Sequence, residues 1–161
     1  MRWRPMRTDD AATALDVANA IHLSYPEDPL VVRDRLALYP EGCFVLADDA
    51  GLYGYFVSHP WVLGEPPALN CALGALPDRP DCFYLHDMAL LPSVRGQGHA
   101  VAALDIVLRQ ARAGGFPTLF LMAVGDAHGF WEQTGFSRCE TSRPDPAKGY
   151  GPEAAAYIRR V

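Results

Sequence analysis

Leu85-His86-Asp87-Met88-Ala89-Leu90-Leu91-Pro92-Ser93-Val94-Arg95-Gly96-Gln97-Gly98-His99-Ala100 is the stretch on which the reading of this chain turns. An apolar run stops at Pro92, and the glycine-rich turn from Arg95 to Ala100 leads directly into a helical pattern. Gly96 and Gly98 have no Cβ to block close approach, so successive backbone N–H groups can converge on one anion. The following helix adds the unpaired N–H groups of its first turn and the positive end of its dipole. Together these features make a cradle for a pyrophosphate.

Two nucleotide-binding fingerprints fail on the same residues. A dinucleotide site needs G-x-G-x-x-G with an acid about 20 residues on, but Val101 stands at the third glycine position and Thr118 to Leu121 hold no acid. A Walker A loop needs Gly-Lys-Ser/Thr, and Lys148 is the only lysine in the chain. An ordinary Gly-rich strand-to-helix turn is the plain alternative, and a second segment speaks against it.

About thirty residues downstream, Leu119 to Val124 reads as a buried strand and Ala127 to Gly135 as a short helix, ending in Phe130-Trp131-Glu132-Gln133-Thr134-Gly135-Phe136. Gly135 is the left-handed residue that would stop that helix, and Phe136 would start the next strand. The turn resembles the acyl-CoA-binding motif of the GCN5-related N-acetyltransferases (GNAT), Arg/Gln-x-x-Gly-x-Gly/Ala, matched by Arg95, Gly98 and Ala100. The second segment resembles the F-Y-x-x-x-G-F signature of the same superfamily. The order of elements carrying both covers about 60 residues.

Composition is compatible with one domain over residues 1–161. A chain of this length buries about two thirds of its unfolded surface in a single core. Half of its residues are apolar and a fifth are charged, the balance of a globular domain. The N-terminus lacks an apolar signal-like stretch, and no segment approaches the roughly 18 apolar residues of a membrane span; a cytoplasmic protein is expected. Cys43, Cys71, Cys82 and Cys139 form no C-x-x-C pair, and His22, His59, His86, His99 and His128 are scattered, so mostly buried thiols and no metal are expected. A net charge of −5 argues against a nucleic-acid partner, and Arg2, Arg4 and Arg7 read as a solvated strand edge.

The rest of the chain gives a lead-in and a tail. Trp3 to Met6 is predicted as a strand. Thr8 should cap a helix to about Ser24, and a second helix should run from about Pro29 to Tyr39. Strands at Cys43 to Ala47 and Leu52 to Ser58 are joined by a hairpin turn. His59 to Asp81 is irregular, with Trp61, Leu63 and Leu69 suggesting a loop that packs over something. Val101, Leu104, Leu108 and Ala111 mark the buried stripe of the helix after the turn. Thr141 to Glu153 is a second loop, and Ala155 to Val161 a closing strand.

The resemblance implies a mixed α/β fold, with a mostly antiparallel twisted sheet, one splayed parallel pair and flanking helices. It also implies acyl transfer from acetyl-CoA to an amine by direct attack in a ternary complex. Pantetheine would lie along the backbone of Met88, Ala89 and Leu90, with the Leu90 N–H as oxyanion donor. The turn residues Arg95, Gly96, Gln97, Gly98, His99 and Ala100 would hold the pyrophosphate, with Phe130 and Trp131 beside the cofactor. His86 is the candidate base, and strand alternation turns Asp87 to the opposite face unless a bulge shifts the register. Trp131 stands where many relatives carry a proton-donating Tyr, and indole cannot act as an acid. Tyr150 is a possible substitute. The rival function is a non-catalytic acyl-CoA-binding or sensor domain. The expected partners are acetyl-CoA and a small amine-bearing acceptor, without nucleic acid or membrane, with a homodimer open.

Overall fold

The computed structural model describes every residue except Tyr25, Thr141 and Arg143, so the expected start of the late loop at Thr141 lies outside the described residues. Seven strands form one sheet in the order β1-β2-β3-β4-β5-β7-β6. They are β1 (Arg2–Pro5), β2 (Cys43–Asp48), β3 (Gly51–Trp61), β4 (Cys82–Leu90), β5 (Thr118–Ala123), β6 (Ser137–Arg138) and β7 (Ala155–Arg160). Every neighbouring pair is antiparallel except β4 with β5. The helices are α1 (Asp10–Ile21), α2 (Pro29–Leu38), α3 (His99–Ala113) and α4 (His128–Gln133). This is the mixed α/β architecture expected from the sequence.

Strand alternation divides the sheet into two apolar faces. On one, Phe56, Phe83, Leu85, Leu119 and Leu121 pack against Leu104, Val107 and Leu108 of α3 and Trp131 of α4. On the other, Val45, Tyr55, Val57 and Ala89 pack against Ala14, Val17 and Ala18 of α1 and Val32 of α2. The remainder of that second face, around Tyr84 and Phe120, packs against none of α1 to α4 in its apolar cluster. Loops strapped over it take that role: Lys148 Nζ and the Tyr150 hydroxyl donate to the carbonyls of Pro66 and Pro67, both at 2.8 Å.

Several local expectations are corrected. Asp9, not Thr8, is the N-cap of α1, because the Asp10 carboxylate is already taken by Arg4 and the Arg7 N–H, which winds residues 7–10 into a turn of their own. The helix ends at Ile21 with His22 as its C-cap, short of Ser24. Val101 is 49% exposed and lies off the buried stripe of α3, which Ala103 and Val107 fill instead. β3 runs three residues past Ser58 because β4 pairs with it as far as Trp61. Leu63 is exposed rather than packed, and Cys71 is an exposed thiol.

Candidate active site

The site is made by a ladder that stops early. β4 and β5 pair only over Phe83, Tyr84 and Leu85 with Leu119, Phe120 and Leu121, although β4 continues to Leu90 and β5 to Ala123. Beyond Leu85 the two strands part. At the same point β4 carries a bulge, since Val57 faces Asp87 while the next residue, Ser58, faces Leu85. His86 is the extra residue.

The bulge corrects the expected side-chain directions. Leu85 stays on the α3 face. His86 has its ring among Tyr84 and His59, and Asp87 meets His22 of the α1 terminus and Tyr55. Both polar residues therefore point to the same side of the sheet, where uninterrupted alternation would have separated them.

Past the bulge, regular alternation decides which backbone groups are free. The Leu91 N–H donates to the Tyr53 carbonyl at 2.8 Å, so the N–H of Ala89, two residues back, also faces β3. Those of Met88 and Leu90 face the gap that β5 has left. Ala89 borders the gap, but its N–H is oriented away, which corrects the expectation that all three residues present backbone to a ligand. The Leu90 carbonyl is held by Arg95 Nε at 3.0 Å.

The gap opens into a groove of about 830 Å³ that includes Met88, Leu90, Arg95, Gly96, Gly98, Ala100 and Trp131 in its walls. Gly96 and Gly98 adopt φ of +73° and +81°, and a Cβ on either would meet nothing within 4 Å. Glycine is thus required here by backbone conformation. Gly98 is the N-cap of α3 and offers no side chain to its first turn, which leaves those N–H groups to a ligand in the groove. Gln97 is folded back onto the Ser93 carbonyl at 3.1 Å and is absent from the groove wall.

A second cavity, of about 110 Å³, adjoins the groove and shares Met88, Val124, Trp131 and His22 with it. Glu27, Tyr84, His86, Asp87 and Tyr150 bring polar groups into it. The His86 side chain is only 2% exposed, and its Nε2 lies 3.4 Å from Glu27 Oε1. Neither of its ring nitrogens has a hydrogen-bond partner among the described residues. Asp87 accepts from His22 Nε2 at 3.1 Å and from the Tyr55 hydroxyl. Burial works against its charged form, but the bonds from His22 and Tyr55 outweigh burial and hold the Asp87 carboxyl below the usual carboxylate range. The same bond raises the pKa of His22. Tyr150 reaches the cavity, yet its hydroxyl donates to Pro67 and burial pushes it up to about 12, a poor match to a departing thiol of about 8.5.

His22, Glu27 and Tyr55 escaped the sequence reading. His22 sits at the end of an apolar helix and Glu27 between two prolines, and neither position has a local pattern that announces a site. Among the described residues no group of three metal-ligating side chains occurs, and no helix is long and apolar enough to cross a membrane.

Comparison with known proteins gives this geometry its context. A search of curated proteins returned no match. Solved structures superpose over nearly the whole chain. GphF, a GNAT-like decarboxylase in complex with isobutyryl-CoA, aligns over 99% of each chain at 16% identity and a TM-score of 0.80. The NatC complex bound to Gag peptide and CoA aligns over 99% of this chain and 98% of that one, at 18% identity and a TM-score of 0.75. The ribosomal-protein-S18-alanine N-acetyltransferase from Escherichia coli covers 99% and 93%, at 18% and 0.67. At such identities the likeness is one of fold. The family model "Acetyltransferase (GNAT) family" matches residues 10–136, a span that holds both the glycine turn and the Phe130 to Phe136 segment, and the chain belongs to that family.

Proposed function

We propose that this protein transfers the acetyl group of acetyl-CoA to a primary amine, on a small molecule or an amino-acid-like or peptide-like acceptor, by direct attack within a ternary complex. The observation that carries this reading is the coincidence of bulge and splay. One irregularity in β4 turns His86 and Asp87 toward the small cavity and leaves the Met88 and Leu90 N–H groups facing the groove. Acyl donor and acceptor would meet where the two spaces join, beside Met88 and Trp131.

The chemistry follows from the groups present. The turn from Arg95 to Ala100 would hold the pyrophosphate, and Phe130 and Trp131 would pack beside the pantetheine arm. The Leu90 N–H would donate to the thioester oxygen and stabilise the charge that develops on it. An ammonium cannot attack, so the acceptor must lose a proton; the His86 imidazole, whose ring nitrogens make no hydrogen bond among the described residues although Glu27 Oε1 lies 3.4 Å from Nε2, accepts it, directly or through one water. Asp87, fixed by His22 and Tyr55, keeps a negative charge nearby that favours a cationic amine. The thiolate leaves without help from Trp131.

A second reading has its own observation. Trp131 stands in place of an acid for the departing thiolate, and a decarboxylation, the chemistry named for GphF, breaks no thioester and needs no such acid. Thiol release from acetyl-CoA with a pooled amine library separates the two. Amine-dependent release is expected, and His86→Ala should lower its maximal rate by about 10²–10⁴ with acetyl-CoA affinity nearly unchanged. His86→Gln controls for lost packing. Full activity in both variants would remove His86 from the mechanism, and absence of release with every amine would overturn the transferase reading.

A further inference from the structure

Buried polar groups without hydrogen-bond partners are uncommon in native proteins, and each calls for an explanation. In the wall of the small cavity, both ring nitrogens of His86 lack a partner among the described residues, on a side chain that is 2% exposed. Glu27 stands beside it in the same wall, with its side chain 11% exposed. The 3.4 Å between Glu27 Oε1 and His86 Nε2 exceeds the usual length of a hydrogen bond. What this pair lacks is a group that donates to the carboxylate and can give a proton to the imidazole.

The charges of the wall are unequally matched. Asp87, its second carboxylate, accepts from His22 Nε2 at 3.1 Å and from the Tyr55 hydroxyl. His22 is also in the wall but already serves Asp87, so Glu27 is the carboxylate left to meet a ligand. Among the described residues the wall holds no lysine or arginine. The buried Arg35 guanidinium interacts with Glu27 through its charge, but it lines neither the cavity nor the groove, and its ion-pair partner is Asp34 at 3.6 Å. A cation entering the cavity therefore meets two carboxylates, whereas an anion meets the same two without a cationic side chain of its own to pair with.

The enclosure limits what can enter. The Asn70 side chain accepts from the Asp28 N–H at 2.6 Å, next to Glu27, and the Leu69 N–H donates to the Lys148 carbonyl at 2.8 Å. Leu69 and Tyr150, which those ties hold in place, are themselves part of the wall. The cavity has about 110 Å³, well below the roughly 300–1,000 Å³ of pockets that take drug-sized ligands. Leu85, Leu121 and Met122 give it apolar sides, which suit a short hydrocarbon body behind a charged head.

We propose that the small cavity selects a compact primary amine that carries no carboxylate, bound as its ammonium between Glu27 and Asp87, with Glu27 as the residue that sets this choice. The inference rests on the amine transfer proposed above and narrows its acceptor. An ammonium has three N–H donors, enough for the two carboxylates and one ring nitrogen of His86. The ammonium and acetyl-CoA become the N-acetylamine, the CoA thiol and one proton. His86 takes the first proton, the nitrogen lone pair forms the C–N bond as the C–S bond breaks, and a second nitrogen proton ends on the thiolate. Glu27 then faces the imidazolium it lies beside. An acceptor with its own carboxylate would bring a like charge to Glu27 in a small, poorly hydrated space, where repulsion is weakly screened.

Matched sets of acceptors test this. Common amino acids would each be compared with their primary amide and their decarboxylated amine in thiol release from acetyl-CoA. The decarboxylated amine is expected to be the best of each set, and the amide, equal in size to the acid but uncharged at that end, should exceed the acid by at least about 30-fold in kcat/KM. Glu27→Gln should cut the amide-over-acid ratio by at least about fivefold with acetyl-CoA affinity unchanged, while Glu27→Asp, which keeps the charge, should retain most of it. Acid and amide equally poor beside the decarboxylated amine would mean that size alone sorts them, and a ratio untouched by Glu27→Gln would mean that another group does; either result overturns the proposal. If no compound supports thiol release, the transferase reading falls, and calorimetry of the same compounds with CoA-loaded protein decides the site. Tighter binding of amines than of acids, lost in Glu27→Gln, would keep it, and equal or absent binding would overturn it.

Discussion

His86 and Asp87 show what one inserted residue does. The sequence places them on a strand, and alternation alone would set them on opposite faces. The bulge puts both toward the same cavity, and nothing in Leu85 to Leu90 marks its position. His86 was legible as a candidate base, because an imidazole on an apolar strand before a cofactor turn is chemically conspicuous. Its companions were not, since His22, Tyr55 and Glu27 arrive from three other elements. The His22 to Asp87 contact has a pH signature with a definite sign. The pKa of His22 is raised above 6.5, so the stabilisation it contributes is complete below that value and is lost as pH rises through the higher folded pKa. The pKa of Asp87 is lowered below 3.8, so its contribution is present above that value and is lost as pH falls through the lower folded pKa. Thermal melts of wild type and His22→Ala should therefore differ most between about pH 4 and 6.5 and converge on the alkaline side. A difference that stays constant across this range would mean that the pair carries no charge.

At the scale of elements, the glycine turn and the helix after it were the most legible part of the fold, because backbone chemistry forces the residue choice. Gly98 has φ of +81°, a conformation that L side chains adopt at a cost of about 1–2 kcal/mol, and its position as N-cap of α3 sets the first-turn N–H groups at the groove. Gly98→Val should lower stability by about that amount and weaken acetyl-CoA binding at least tenfold by calorimetry on folded protein. Unchanged affinity would show that the turn does not hold the cofactor. The loops were less legible. Prolines and glycines made residues 59–81 read as irregular, which holds only from residue 62, because β3 extends to Trp61; nothing local announced that Lys148 and Tyr150 would strap the loop down. Those bonds join residues about 80 positions apart, beyond any local pattern.

Over the whole molecule, the proposed function rests on the parting of the far ends of β4 and β5, which pair over only three residues of each strand. Periodicity supplied the strands and helices, and the two motif segments supplied their order around the gap. The gap itself is a property of pairing and lies outside what a single strand can reveal. The two spaces meeting there explain why Trp131 can be both core residue and site wall: it is 8% exposed, packs edge-on to Phe130 and Phe136, and borders groove and cavity alike. The central claim is that the unpaired backbone of β4 and the first turn of α3 together bind an acyl-CoA. Residue-resolved amide exchange by NMR, without and with acetyl-CoA, tests it most directly. The account predicts that the Met88 and Leu90 amides and those from Gly96 to Val101 exchange readily in the free protein and slow markedly with acetyl-CoA, while the Ala89 amide, already paired with β3, is slow in both. Acetyl-CoA binding that leaves the Met88, Leu90 and turn amides unchanged would contradict it.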